Sequence, residues 1–191
     1  MEGLVARTGL HQRRYRDSFR LMAGCVPFKY RSAVEHGNGV YHRDVEVLMI
    51  NSTSGPSLLF PKGGWEDDET VEQAASREAL EEAGVRGELL ANSVSQHFIG
   101  YYEFKSKTLQ DELSPEGWCR AAVFALLVKE ELESWPEQST RKRSWLTVAE
   151  TMECCRYPWM REALGEGFSR WQADQFQENR PSITSELAAH H

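Results

Sequence analysis

The sequence predicts an α/β domain, and two observations carry this prediction. Short apolar runs between turn residues are typical of β-strands, and they recur along most of the chain. One long segment and two segments near the C-terminal end instead have residues typical of helix starts and ends. The 191 residues, of which 40% are hydrophobic, are enough to bury the core of one domain.

The predicted strands precede and follow a central helix. This helix is predicted at about Thr70–Ala83, and Gly84 ends it because glycine adopts a positive φ at little cost. The strands are predicted near Phe19–Phe28, Val45–Asn51, Leu58–Phe60, Ser93–Phe104 and Trp118–Val128, with a polar loop at Lys105–Gly117.

The C-terminal part of the chain is predicted to add two helices. Residues Thr147–Glu150 fit a capping box that opens a short helix. A proline at the first helical position starts the other, at about Pro158–Phe176. We therefore assign residues 19–176 to the domain, 1–18 to a basic N-terminal arm and 177–191 to a polar, disordered tail.

The arm and the cysteines bear on localisation. Residues 1–31 carry seven Arg or Lys against two acids, and we favour a substrate-facing basic arm over an organellar transit peptide. The chain has no apolar signal-peptide core and no apolar run of about 18 residues, so no membrane segment is predicted. The four cysteines lack C-x-x-C spacing, which suits a reducing compartment. We predict a cytoplasmic protein that can also be nuclear, with mitochondrial import as the alternative.

The net charge of −7 is concentrated in one segment. Residues 66–82 hold eight acids against Arg77, so the rest of the chain is neutral overall. The acidic pI therefore does not exclude a polyanionic substrate, because metals bound in this segment could make its field attractive to anions.

Three carboxylates of that segment share one helix face. Glu78, Glu81 and Glu82 stand at i, i+3 and i+4. Like charges this close raise one another's pKa values, which calls for a compensating cation. Carboxylate oxygens suit a hard cation, Mg2+ or Mn2+, which would bridge phosphate oxygens and activate a water. The alternative is a solvated acidic face, and the sequence alone does not assign different roles to the three glutamates.

The residues just before this helix, Pro61–Gly64, are predicted to form a loop. Its carbonyl groups could ligate a metal, and its free N–H groups could meet phosphate. Arg77 could hold the carboxylates in position through charge-assisted hydrogen bonds.

The spacing from Gly63 to Val85 resembles the signature of the Nudix hydrolases, G-x5-E-x7-R-E-U-x-E-E-x-G-U, in which U is aliphatic. Each fixed position matches, and Ala79 is small for its aliphatic position. The resemblance implies the Nudix fold, a mixed β-sheet sandwiched between α-helices, and Mg2+-dependent hydrolysis of a phosphoanhydride bond. The implied roles are metal binding by Glu78, Glu82, Glu81 and Gly63, proton acceptance by Glu81, and substrate binding by Gly63 and Gly64.

Two further segments resemble one Nudix branch, the diphosphoinositol polyphosphate phosphohydrolases, and especially its plant members. They are Phe60–Glu66 and Arg141–Trp145, where Ser144 replaces the glutamate usual in that branch. An inositol ring with six or more phosphates needs only a cluster of cations to hold it. The alternative for the second segment is a solvated basic turn. The predicted phosphate-binding cations are Arg20, Lys62, Arg120, Arg141, Lys142 and Arg143.

We therefore rank inositol pyrophosphates first as substrates and long diadenosine polyphosphates second. Tyr101 or Tyr102 could stack on adenine, although tyrosines on a strand this rich in aromatic residues are more often core. A non-catalytic Nudix-like binding module is a third alternative, but such modules usually lack the three glutamates. We expect a monomer with no membrane partner and no nucleic-acid partner, because the sequence shows no extended basic face.

Overall fold

The computed structural model describes residues 4–7, 15–16, 19–31, 34–36, 40–42, 44–89, 97–106 and 117–178. Most of the predicted arm, the start of the fourth predicted strand, most of the loop after it and nearly all of the predicted tail lie outside these ranges.

Strands and helices follow one another in the predicted order. The strands are β1 (Tyr15–Arg16), β2 (Phe19–Tyr30), β3 (Val34–His36), β4 (Val40–His42), β5 (Val45–Asn51), β6 (Leu58–Leu59), β7 (Lys62–Gly64), β8 (Val85–Glu88), β9 (Phe98–Lys105), β10 (Trp118–Glu131) and β11 (Arg143–Leu146). The helices are α1 (Val71–Ala83), α2 (Val148–Cys154), α3 (Pro158–Glu162) and α4 (Phe168–Glu178), with a π-helical turn at Ala163–Gly167.

Nine of the described strands form one mixed sheet. Its central order is β11-β5-β2-β10-β8, in which β2 and β10 run parallel and the other neighbours run antiparallel. Strands β1 and β7 also pair with β2, β6 pairs with β5, and β9 pairs with β10. Strands β3 and β4 form a separate two-stranded sheet.

Helices cover both faces of the sheet. Because successive side chains of a strand point to opposite sides, strand β2 contacts helices on both faces. Cys25 of β2 faces α1, where burial and the charges of Glu82 and Glu78 raise the pKa of its thiol. Three residues further along, Phe28 faces the other side and packs against rings of α4. The predicted mixed sheet between helices is thus confirmed. Among the described residues, no helix is both long and apolar enough to cross a membrane.

The structure differs from the prediction in its short strands and in one helix. Within the loop predicted at Pro61–Gly64, residues Lys62–Gly64 form strand β7, and strands β1, β3, β4, β8 and β11 were not predicted. Each of these strands has at most four residues, and the pairing of β8 and β11 depends on residues distant in sequence, such as Arg143 opposite Ile50. The helix predicted from Pro158 is interrupted by the π-helical turn, whose sequence contains two glycines that weaken a regular α-helix.

Candidate active site

Helix α1 has a defined start and end, which fixes the positions of its glutamates. Thr70 accepts a hydrogen bond from the N–H of Gln73 in a capping box, and Gly84 ends the helix with φ of 63°. Glu78 and Glu81 are buried within this helix, and the side chain of Glu82 is 12% exposed.

Arg77 joins the carboxylates to the strand before them. Its Nε and Nη2 donate to the two carboxylate oxygens of Glu69 at 3.1 and 2.8 Å. Its Nη1 donates to Glu78 at 2.8 Å and to Glu81 at 3.2 Å, and Nη2 also donates to the carbonyl of Gly64 at 2.9 Å. These are the charge-assisted contacts expected from the sequence, and they hold Glu69, Glu78 and Glu81 on one guanidinium.

Burial makes the carboxyl groups of Glu78 and Glu82 hard to ionise. Burial and then the charge of Glu82 raise the pKa of Glu78 to about 8, against the opposing effect of Arg77. Burial also raises the pKa of Glu82 to about 7, although Lys62 and Arg141 oppose the shift. Buried acids with raised pKa values favour a bound cation, because a cation stabilises the ionised form.

Strand β7 presents neighbouring residues to different partners. Gly63 lies opposite Ala23 of β2, and a Cβ atom at Gly63 would overlap the carboxylate of Glu78. The backbone N–H of Lys62 donates to Oε2 of Glu82 at 3.2 Å. The absence of a side chain at Gly63 therefore makes room for the carboxylate at the predicted metal-binding position.

The described part of the N-terminal arm lies against the same acidic cluster. The backbone N–H of Arg7 donates to Oε1 of Glu81 at 3.2 Å. Its guanidinium pairs with Glu66 and with Asp68, at 3.0 Å from Oδ1 of Asp68. This segment contacts the predicted metal-binding region rather than the cations predicted to hold phosphate.

The chemistry of this donor set fits a hard divalent cation. It combines three carboxylates on one face of α1 with a glycine that lets a carboxylate approach the backbone. In the structure, the described residues contain no group of three Asp, Glu, His or Cys side chains that is already arranged to hold a metal ion. Each glutamate is already bonded to a neighbouring group, so metal binding would replace some of these bonds.

A cavity of about 460 Å³ is lined in part by residues that contact Glu82. Arg20, Lys62 and Arg141 line it, and Nη2 of Arg141 also contacts Oε1 of Glu82 at 3.4 Å. Within the described residues, the buried Nε of Arg20 has no hydrogen-bond partner. The cavity therefore offers cationic groups beside the predicted metal-binding region.

The other three predicted cations do not join this cavity. Cys119 of β10 pairs with Arg20 of β2, so their side chains share one face of the sheet. Arg120 is the next residue of β10, and because side chains alternate along a strand it lies on the opposite face. There it contacts Glu103 at 2.8 Å and the ring of Phe19. The predictions that Lys142 and Arg143 bind substrate also lack support from their positions. Lys142 is exposed, and Arg143 lies over the ring of Trp135 at 4.1 Å.

Neither predicted tyrosine lines the cavity. Tyr101 is 69% exposed and Tyr102 is buried in the core. The aromatic residues that line the cavity are instead Phe104, Tyr157 and Trp159. The rings of Phe104 and Trp159 stack at 4.4 Å with 5° between their planes. Sequence reasoning missed this pair. Phe104 falls on the same predicted strand as the tyrosines, but nothing in the sequence pairs it with a residue of α3.

Comparisons with known proteins agree with this fold. A NUDIX domain model matches residues 37–166. The Arabidopsis thaliana protein named Nudix hydrolase 16, mitochondrial, is 59% identical over 172 residues, covering 90% of this chain and 92% of that protein. Mouse diphosphoinositol polyphosphate phosphohydrolase 3-alpha is 31% identical over 140 residues, covering 72% and 70% respectively. A solved C. elegans Ap4A hydrolase is similar in fold, with a TM-score of 0.53, 22% identity, and coverage of 81% of this chain and 98% of that one.

Proposed function

This chain belongs to the Nudix hydrolase family, and from that premise we propose that it hydrolyses a phosphoanhydride bond of inositol pyrophosphates with Mg2+, or alternatively Mn2+. One observation carries the proposal. The backbone N–H of Lys62 and the guanidinium of Arg141 both contact Glu82, and both residues line the cavity, so a carboxylate suited to a metal adjoins residues whose side chains suit phosphate.

Different residues of the site have different roles in the proposed hydrolysis. Glu78, Glu82, Glu81 and the carbonyl of Gly63 would hold the metal. When bound, a divalent ion neutralises phosphate charge and lowers the pKa of water. Glu81 would accept a proton from the water that attacks one phosphorus, so that the phosphoanhydride P–O bond breaks and inorganic phosphate and the remaining inositol phosphate are released. Arg77 keeps Glu78 and Glu81 in position through its Nη1 contacts.

Two kinds of observation support an inositol pyrophosphate as the substrate. The cavity is lined by four cationic residues, Arg20, Lys62, Lys105 and Arg141, and an inositol ring bearing many phosphates is recognised by such groups. The similarity to the mouse phosphohydrolase points to the same substrate class, since that relative is named for diphosphoinositol polyphosphates.

A specific observation also favours a second candidate, the diadenosine polyphosphates. The stacked rings of Phe104 and Trp159 form an apolar wall beside Lys62, whose Nζ lies 5.8 Å from the centre of the Phe104 ring. Such a wall suits a nucleobase, which is planar and uncharged, better than a ring with phosphate on every side.

The prediction of a cytoplasmic protein is wrong. Three Arabidopsis relatives, 59%, 49% and 47% identical to this chain, are named mitochondrial. We infer a mitochondrial location, and the basic residues 1–18 are consistent with the transit-peptide alternative for the arm.

A side-by-side turnover assay tests the substrate. The full chain with Mg2+ is offered an inositol pyrophosphate and a diadenosine penta- or hexaphosphate at equal low micromolar concentration. We expect kcat/KM to favour the inositol substrate by about tenfold or more, which corresponds to at least about 1.4 kcal/mol. The reverse ratio would overturn the proposal in favour of the diadenosine class, and Trp159→Ala should then raise the KM for that class selectively.

A further inference from the structure

Residues outside helix α1 bond the last carbonyl groups of that helix. The final four carbonyls of a helix have no partner within it and must find one elsewhere. Each of these carbonyls in α1 accepts a hydrogen bond: Leu80 from the N–H of Gly84 at 3.1 Å, Glu81 from the N–H of Glu137 at 3.0 Å, Glu82 from Nε1 of Trp135 at 3.2 Å, and Ala83 from Nη1 of Arg143 at 3.5 Å.

Arg143 supplies a cation that the helix itself lacks. The last turn of α1 has no basic residue, while Glu81 and Glu82 add negative charge at the negative end of the helix dipole. Arg143 begins strand β11, and its Nη1 also donates to the carbonyl of Gly84 at 3.2 Å. A strand distant in sequence thus places a guanidinium where the helix end needs positive charge.

Trp135 contacts both the helix end and this guanidinium. The Cζ of Arg143 lies 4.1 Å from the centre of the Trp135 ring. The indole also packs against Gly84. A Cβ atom added at Gly84 would lie 2.6 Å from Cδ2 of Trp135. The guanidinium of Arg143 is therefore engaged by the helix end and the indole, whereas Arg141 lines the cavity.

We propose that Arg143 and Trp135 are positioning residues for the hydrolysis. They fix the last turn of α1 and thereby hold the carboxylates of Glu81 and Glu82, and they do not bind the substrate. This inference rests on the proposed function, because those carboxylates are its metal-binding and proton-accepting groups. Within the segment Arg141–Trp145, Arg141 thus lines the cavity while Arg143 contacts the helix end.

The test compares Arg143→Ala, Arg143→Lys and Trp135→Phe in the full chain, with Arg86→Ala as the matched control. Arg86 pairs at 3.7 Å with Glu130, and both side chains are more than half exposed. Mn2+ affinity is measured by electron paramagnetic resonance without substrate, kcat and KM with an inositol pyrophosphate, and folding by circular dichroism.

We expect Arg143→Ala to weaken Mn2+ binding and lower kcat by about 10- to 100-fold, as for other residues that orient metal ligands, with KM within about twofold. Arg143→Lys should restore part of both losses. Trp135→Phe keeps a ring beneath Arg143 but removes one hydrogen bond, so a smaller loss of about two- to tenfold is expected. Arg86→Ala should match the wild type.

The proposal is overturned if Arg143→Ala raises KM and leaves kcat and Mn2+ affinity unchanged, which is the behaviour of a substrate-binding residue. If Arg143→Ala fails to fold, Trp135→Phe decides, and wild-type Mn2+ affinity and kcat in that variant would overturn the proposal. If the wild-type protein does not hydrolyse inositol pyrophosphate, this result contradicts only the proposed substrate. The positioning role is still tested, because Mn2+ binding is measured without substrate.

Discussion

Gly63 and Glu78 lie so close together that the strand before α1 tolerates no side chain at this position. Gly63→Ala should displace the Glu78 carboxylate, because the new methyl group would overlap it. A displacement of about 1 Å at a reacting centre costs about 100-fold in rate. We expect kcat to fall by this order while circular dichroism still shows the native secondary structure.

Gly55 provides the matched control for this substitution, since a Cβ at Gly55 meets no atom within 4 Å. Gly55→Ala should therefore leave kcat unchanged. Equal activity in both alanine variants would show that the contact between Gly63 and Glu78 does not position a reacting group.

Glu81→Gln tests the proton acceptor. An amide keeps the size of the side chain and can still contact Arg77, but it cannot take a proton from water. We expect kcat to fall by about 10^2- to 10^4-fold with little change in melting temperature. A near-wild-type kcat would remove Glu81 from this role.

Arg20→Ala and Arg120→Ala test which face of the sheet binds the phosphates. Arg20 lines the cavity, while Arg120 lies on the opposite face and contacts Glu103. Arg20→Ala should raise the KM for the inositol substrate by about tenfold and reduce its dependence on salt, as loss of a charge-assisted contact to phosphate does. Arg120→Ala should leave KM within about twofold. A larger effect from Arg120 would place the substrate on the other face.

The raised pKa values predict how the metal-free protein responds to pH. Glu78 has an ordinary pKa of 4.5 and one of about 8 in the folded protein, so the folded state holds more protons than the unfolded state between these values. Its contribution to stability therefore decreases as pH rises through this range. Thermal melts in chelator should show a lower melting temperature at pH 8 than at pH 6, with a shallower decrease in Glu78→Gln. Identical slopes in the two proteins would contradict the shift.

Arg7→Ala tests the contact between the arm and the acidic cluster. Arg7 pairs with Glu66 and Asp68, and its backbone N–H contacts Glu81. Removal of this partly exposed cation should lower the Mg2+ concentration for half-maximal activity by about two- to fivefold, the scale of an exposed ion pair. Arg86→Ala is the control, and an unchanged Mg2+ requirement in Arg7→Ala would show that the arm does not compete with the metal.

The features that the sequence predicted well depend on local chemistry. Thr70 and Gly84 bound α1, and Thr147 opens α2, because capping residues act within a few positions of the helix end. The spacing of the glutamates on one helix face follows from the same local periodicity.

The features that the sequence did not predict depend on pairing between distant segments. Whether Arg20 and Arg120 share a face follows from the register of β2 and β10, which no local pattern reveals. The stack of Phe104 on Trp159 requires β9 and α3 to meet. The position of Arg143 at the end of α1 likewise requires β11 to pair with β5.

The alternation of Lys62 and Gly63 along β7 has a geometric consequence for the substrate. Lys62 lines the cavity, whereas Gly63 faces Glu78 on the α1 side of the sheet. A molecule bound in the cavity would therefore reach the carboxylates through a group that extends past Lys62 or Arg141, which both contact Glu82. A diphosphate extends further from an inositol ring than a single phosphate does, so this distance would separate pyrophosphorylated molecules from their products.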